Sequence, residues 1–368
     1  MATSGLLAPP WRSRHVLRAV LAVLVVLAVA SCTRTQELHV RLHVRRDTTC
    51  PATTLSRSGP QTTGIFRPNT DGTWHLGDAT WSREAPVPML YPIRSEHWTR
   101  GCIIGGVVHG DVPRHWTRDR WYNAEAGRMS GEAFRQTLTD VPGNYLYIRD
   151  AFVSDYEDAY DPNGVRADSV MHLDHVRAEY IRDDCVEDEG DGPPQVPISV
   201  IITNTLFDGC FSGLAERPPG STTATNGDGP QSLDVENSLI HIRPEPLGPL
   251  YCSDEQVPRG RCLKTGRPDV WLGAYGIWKW SNMAASHVTV RNTIFRLDIA
   301  SYSSCQSQEW PAGTYRHVTL VWTGKGPYAT AGGCHNVLPR GVHLTTDVSV
   351  WKRARAAWLA ETPAPTRP

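Results

Sequence analysis

One short pattern of apolar and polar positions recurs along the middle of the chain. It runs apolar, any, Asn or small, any, apolar, apolar. It reads Ile148-Arg-Asp-Ala-Phe152-Val153, Val176-Arg-Ala-Glu-Tyr180-Ile181, Ile202-Thr-Asn-Thr-Leu206-Phe207, Val235-Glu-Asn-Ser-Leu239-Ile240 and Val290-Arg-Asn-Thr-Ile294-Phe295. First positions are 28, 26, 33 and 55 residues apart, the last interval being two turns or one turn with a long insertion. Repeats of this length cannot bury their own apolar faces, so they predict a solenoid of stacked units. Alternate residues of a strand share a face. The pattern therefore puts Val176, Val235 and Val290 inward, with Asn204, Asn237 and Asn292 beside them. Buried amides need partners, and a column of parallel strands supplies them from rung to rung. Asp150 and Ala178 interrupt this ladder. Further coils are expected at Cys102-Ile103-Ile104-Gly-Gly-Val107-Val108 and His317-Val318-Thr-Leu320-Val321.

The pattern resembles the Asn-containing coils of the pectate-lyase-like β-helix superfamily. That resemblance implies an all-β chain wound as a right-handed parallel β-helix over residues 101–345. The outermost rungs need covers. Asp347 can N-cap a helix running through Trp351, Ala354 and Trp358, so 346–361 is expected to be a capping helix. Pro363 and Pro365 end it, leaving 362–368 as a disordered tail. Residues 32–100 hold few repeat signals and read as a tether followed by an irregular N-terminal cap. Segments 190–197, 214–231 and 243–275, rich in Pro, Gly and Ser, read as loops. In the superfamily such insertions wall a groove on one face.

Composition adds a compartment. The chain has 368 residues with 37 Lys+Arg against 38 Asp+Glu, so no basic field awaits nucleic acid. Gly (31), Pro (28) and Trp (13) suit a turn-rich β protein. Arg12, Arg14 and Arg18 precede the apolar run Ala19 to Ala30, which is too short to span a bilayer; residues 1–31 read as an export signal. Val29-Ala30-Ser31-Cys32 resembles the bacterial lipobox. That implies a lipidated Cys32 and a membrane contact through lipid alone, in the periplasm or at the cell surface. An ordinary signal peptide beside a Cys gives secretion instead. Eight other cysteines form an even set, which in an exported chain predicts disulfides, and none has the CxxC spacing of zinc sites. Cys185 and Cys210 fall at nearly the same place on adjacent rungs, and rungs about 4.8 Å apart suit a disulfide. Cys252–Cys262 closes one insertion, and Cys50–Cys102 and Cys305–Cys334 are the simplest remainder. A monomer is expected.

The chemistry-bearing residues are mostly acidic. Asp155, Asp158 and Asp161 follow one rung, Asp183, Asp184, Glu187, Asp188 and Glu189 the next, and Asp208 the third. Counted from Ile148 and Val176, Asp155 and Asp183 should stack. Like charges that close repel, raise a pKa or recruit a cation. Asp155, Asp183 and Glu187 are thus a candidate Ca²⁺ set; a solvated acidic edge is the plain alternative. Asn163-Gly164 followed by Asp183-Asp184-Cys185-Val186 resembles paired segments of polygalacturonase-like glycoside hydrolases, over residues 163–186 alone. The resemblance implies hydrolysis by carboxylates, one as acid and the others activating water. It makes Asp183 and Asp184 candidate catalytic residues, with Asp208 on the next rung. The departures are specific. Asn163 stands where the family has its first catalytic Asp. Gly-His-Gly and Arg-Ile-Lys segments are missing, and Phe207-Asp208-Gly209-Cys210-Phe211 stands near the place of the former.

Ca²⁺-dependent polysaccharide lyases, the other relatives, need an Arg or Lys base. Arg177 and Arg182 are candidate substrate-binding cations, although surface charge balance explains them as readily. Trp271, Tyr275, Trp278 and Trp280 can stack on sugar rings, or pack an insertion onto the coils, and Ile277 interleaves like a core strand. His172 and Asp174 share a strand face while His175 points away, as on an ordinary polar surface. No phosphate loop, nucleotide fingerprint or serine elbow is present. Gly276-Ile277-Trp278-Lys279-Trp280-Ser281 and Leu338-Pro339-Arg340-Gly341-Val342 resemble a group of bacterial β-helix proteins that brings no assigned activity. Two functions are expected: binding or cleaving a polysaccharide or envelope glycan on an acidic face, or a non-catalytic surface scaffold for adhesion or envelope contacts. The first requires carboxylates converging in an open groove; the second has them dispersed or salt-bridged.

Overall fold

A computed structural model describes residues 48–362 apart from 53, 62–64, 83–91, 96–98, 111, 123–130, 137–142, 163–168, 189–197, 217–231 and 280–286. Residues 1–31, expected to be an export signal, Cys32, Asn163-Gly164, Trp280 and the tail after 362 lie outside the described residues. The chain is a right-handed parallel β-helix. One column of strands aligns Ile148, Leu173, Ile202, Val235 and Val290. A second aligns Val153, Ala178, Phe207, Ile240, Phe295 and Leu320. A third aligns Tyr160, Val186, Leu214 and Trp278. All of these side chains are buried, and the Tyr160 ring stacks between Phe134 and Phe207 at 5.4 and 6.1 Å. Burial of each such aliphatic or aromatic side chain contributes about 1.5–3 kcal/mol, so the stacks are the fold's main stabilising feature.

The Asn residues do not face inward. Asn204, Asn237 and Asn292 are exposed, with φ of 52°, 51° and 47°. Each ends one strand and turns the chain into the next, in the left-handed region that Asn tolerates. The turn resets the alternation, so the residues that follow, Thr205, Ser238 and Thr293, are the buried polar ones. Their hydroxyls donate to the carbonyls two residues back at 2.8–2.9 Å. A ladder does exist, on the outside: Asn292 Nδ2 donates to Asn237 Oδ1 at 3.2 Å, and His175 Nδ1 lies 2.6 Å from Asp150 Oδ1. Asp150, His175 and His317 share the positive φ. His175 thus holds the turn position on its rung, which is aligned through Leu173, three residues before Val176. Asp155 is therefore not stacked on Asp183. It follows Ser154, which aligns with Glu179, and so lies beside Tyr180.

Parallel stacking begins ahead of Gly101: Thr54–Ser56 pairs with Gly72–Ser82, which pairs with Arg100–His109. The 243–275 insertion is not all loop, since Glu245–Leu247, Leu263–Lys264 and Trp271–Gly273 form a small antiparallel sheet. All four expected disulfides form: Cys50–Cys102, Cys185–Cys210, Cys252–Cys262 and Cys305–Cys334. A short helix, α1 (Arg118–Tyr122), and a longer one, α2 (Val348–Glu361), decorate the coil. Asp347 caps α2 by accepting from the Ser349 amide at 2.9 Å. Trp351 is buried against Leu206, Leu239 and Val321, so α2 covers the flank along several rungs. Among the described residues no helix is long and apolar enough to cross a membrane.

Candidate functional site

The acidic residues gather where the third column begins. Val186 aligns with Tyr160, and the Asp183 amide donates to Glu157 O at 2.8 Å. The Asp184 amide donates to Asp158 Oδ1, also at 2.8 Å. A break in register between Ile181 and Asp184 inserts one extra residue against the next rung, and such a bulge re-aims side chains. Two distant cations complete the cluster. Arg118 of α1 makes a direct ion pair with Asp183, and both are buried. Lys279 Nζ lies 2.6 Å from Asp184 Oδ2 and 3.7 Å from Asp183 Oδ1. Asp119 holds α1 in place, accepting from the Gly248 and Leu250 amides of the insertion at 3.0 and 3.2 Å. The Arg118 guanidinium is ringed by Phe211, Tyr122, Trp121 and Tyr251 at 4.7–5.5 Å. Tyr122 is 47% exposed, and its pKa is raised by burial and then by Asp183 and Glu157.

The two cations divide the carboxyls. Glu157, Asp158, Asp183 and Asp184 share the site with Arg118 and Lys279. Burial tends to raise the Asp183 pKa, but Arg118 and Lys279 outweigh it and hold the carboxyl below its usual range. Glu157 accepts from the Gly131 amide. Burial, then Asp183, pushes it up to about 8. Asp158 is raised well above its usual value by burial and by Glu187, Glu157, Asp183 and Asp184. Arg118 and Lys279 face Asp183 and Asp184 directly, while Glu157 and Asp158, which have neither cation as a direct ion-pair partner, are the carboxyls pushed upward. That is the arrangement low dielectric favours.

Asp158 also belongs to two carboxylate trios whose oxygens lie within 4.8 Å, Asp158–Asp183–Asp184 and Glu132–Asp158–Glu187. Arg118 and Lys279 already neutralise the first. In the second, Arg135 reaches Glu132 at 3.1 Å and Glu187 is partly exposed. Three carboxylates of that kind fit a Ca²⁺ kernel, with further oxygens needed to reach its usual six to eight.

The expected site residues are thus partly brought together. Asp183 and Asp184 meet, and Glu187 joins them through Asp158. Asp155 does not: it pairs with Arg114 at 2.5 Å and is in neither trio. Asp208 turns to the α2 flank, 2.5 Å from Arg355 and 3.4 Å from His241; burial raises its pKa, but His241 and Arg355 bring it below normal. Arg177 packs on the Phe152 ring and pairs with Glu179. Arg182 contacts Glu245 and donates to Trp116 O at 2.8 Å. Burial and Arg118 weaken its charge, while the touching Glu245 carboxylate holds it, so it ties the insertion down. Trp278 is core, 5.8 Å from Phe295 and 5.7 Å from Trp310, because its strand continues the third column. His172 is buried too, between Tyr145 Oη at 2.8 Å and Thr203 Oγ1 at 3.1 Å. Sequence reasoning found neither Arg118 nor Lys279, which lie 65 and 95 residues from their carboxylates. Nor did it single out Glu157. Aligning His175 with Asp150 puts Asp158 level with Asp183; an extra residue between the Val153–Ala178 and Tyr160–Val186 pairs shifts it to Asp184.

Compared with known proteins, the chain matches no family model, no curated protein and no solved structure.

Proposed function

We propose that this is an exported protein of the pectate-lyase-like superfamily that binds or cleaves polysaccharide on the acidic face around Asp158 and Asp183. One feature supports the reading: Asp158 and Asp183 have carboxyl oxygens within 4.8 Å, and their pKa values are displaced in opposite directions, Asp158 upward through burial and neighbouring carboxylates, Asp183 downward because Arg118 and Lys279 outweigh its burial. Glycosidic cleavage uses such a pair, one carboxyl to protonate the leaving oxygen and the other as base or nucleophile. The exposed Tyr122 ring supplies a face for a sugar. Four disulfides support an oxidising compartment, and the lipobox supports an anchor at Cys32.

A second reading, a non-catalytic scaffold, is favoured by one fact. Asp183 and Asp184 are almost fully buried and already neutralised by Arg118 and Lys279. The two are separated by incubating acidic and neutral polysaccharides, with and without Ca²⁺, with the wild type and with Asp158→Asn, Asp183→Ala and Asp184→Ala. Bond cleavage that disappears in the folded Asp158 and Asp183 variants supports the enzyme. No turnover and no variant-sensitive binding across the panel leaves the scaffold. The Ca²⁺ arm also tests Glu132, Asp158 and Glu187 as ligands, and the mass of the mature N-terminus tests the lipid.

A further inference from the structure

The four disulfides do not share one environment. Cys185–Cys210 and Cys252–Cys262 are sealed in the interior. As in Cys50–Cys102, one residue of Cys305–Cys334 is partly exposed, Cys305, and one buried, Cys334. Donors converge on it. Arg261 Nη2 lies 3.3 Å from Cys305 Sγ and 3.4 Å from Cys334 Sγ. Gln308 Nε2 lies 3.1 Å from Cys334 Sγ. The guanidinium is fixed there: its Nε donates to Gly332 O at 2.8 Å and its Nη1 to Ser303 O at 3.0 Å. Asn336 Nδ2, 3.5 Å from Gln308 Oε1, turns the amide so that its NH₂ faces the sulfur. A disulfide sulfur is a weak acceptor and gains little from such donors. A thiolate gains far more, because hydrogen bonds to a charged partner are about twice as strong as neutral ones. The donor set suits the reduced state better than the oxidised one.

We propose that Cys305–Cys334 is a thiol–disulfide exchange site opened by dithiol reductants. The reductant's thiolate attacks the accessible Cys305 Sγ and forms a mixed disulfide. The Cys305–Cys334 bond breaks, and its electron pair leaves on Cys334 Sγ, beside Gln308 and Arg261. The reductant's second thiolate then attacks its own sulfur in the mixed disulfide, and Cys305 leaves as a thiolate. Two electrons pass from the dithiol to the protein, the reductant closes its own disulfide, and its two protons are taken up by the freed sulfurs. A leaving thiol of lower pKa leaves faster, so Arg261 and Gln308 act on the first step. Burial of Cys334 directs the attack to Cys305.

The test uses the native, full-length protein. It is exposed to dithiothreitol without denaturant, alkylated at intervals, and read cysteine by cysteine by peptide mass, with circular dichroism as the check on the fold. Cys305 and Cys334 are expected to label roughly tenfold or more ahead of Cys185, Cys210, Cys252 and Cys262. Arg261→Gln is expected to slow the opening by roughly tenfold, and Arg261→Lys to keep most of the rate. If Arg261 merely braces the segment, Arg261→Gln speeds the opening instead, so the sign separates the two roles. Labelling of Cys305 and Cys334 no earlier than the interior pairs in the wild type overturns the proposal. So does an Arg261→Gln rate that is unchanged or raised.

Discussion

Replacing Glu157 by Gln should make the protein's stability markedly less sensitive to alkali. Glu157 is buried, and burial together with Asp183 lifts its pKa from 4.5 to about 8. Between those values the folded state holds a proton that the unfolded chain has released. The folded state therefore binds more protons, and stability falls as pH rises, by about 1.4 kcal/mol per pH unit. The loss begins near the unfolded pKa and is complete just above the folded one. Over that window Glu157 alone removes roughly 3–5 kcal/mol, a large part of the 5–15 kcal/mol typical of a domain. Gln copies the neutral carboxyl, keeps an oxygen for the Gly131 amide and cannot ionise. The measurement is urea unfolding of wild type and Glu157→Gln at intervals from pH 5 to pH 9, disulfides intact. The stability difference between them should grow in the variant's favour up to about pH 8 and then level off. A difference that stays constant over that range would refute the burial argument for Glu157.

Other expectations follow from named contacts. Arg118→Met should cost about 3–5 kcal/mol in the same unfolding assay, because it leaves buried Asp183 with Lys279 alone. Asn237→Val should cost about 1–2 kcal/mol, since φ of 51° suits a β-branched residue badly; Asn237→Gly should cost less than that. Trp351→Ala should lower stability by about 3–5 kcal/mol and expose α2 to proteolysis, because Trp351 is that helix's buried anchor. A thermal melt unchanged by that last substitution would show that α2 contributes nothing to the coil.

What the chain determined locally was legible. The recurring apolar pattern marked the stacked strands, because each rung must bury the same face against its neighbours. The four disulfides followed from rung spacing and elimination, and the existence of α2 from Asp347 before its run; that α2 lies along the flank, not over the last rung, came only from the packing of Trp351 on Leu206, Leu239 and Val321. Asn204, Asn237 and Asn292 marked the right positions for the wrong reason. Their sequence spacing was compatible with a continuous strand, and only the left-handed backbone at each revealed a turn that moves the amide outside. The same three-residue ambiguity misplaced Asp155 over Asp183, since His175 can fill an Asn position that the pattern did not anticipate. Tertiary structure alone decided the site. Asp183 and Asp184 stood out as acidic residues. That they are neutralised depends on Arg118 and Lys279, delivered by a five-residue helix pinned to an insertion and by a strand on another rung. Which carboxyls stay protonated depends on burial and on distances of a few ångströms between chain-distant groups, and a linear sequence encodes those only through the completed coil.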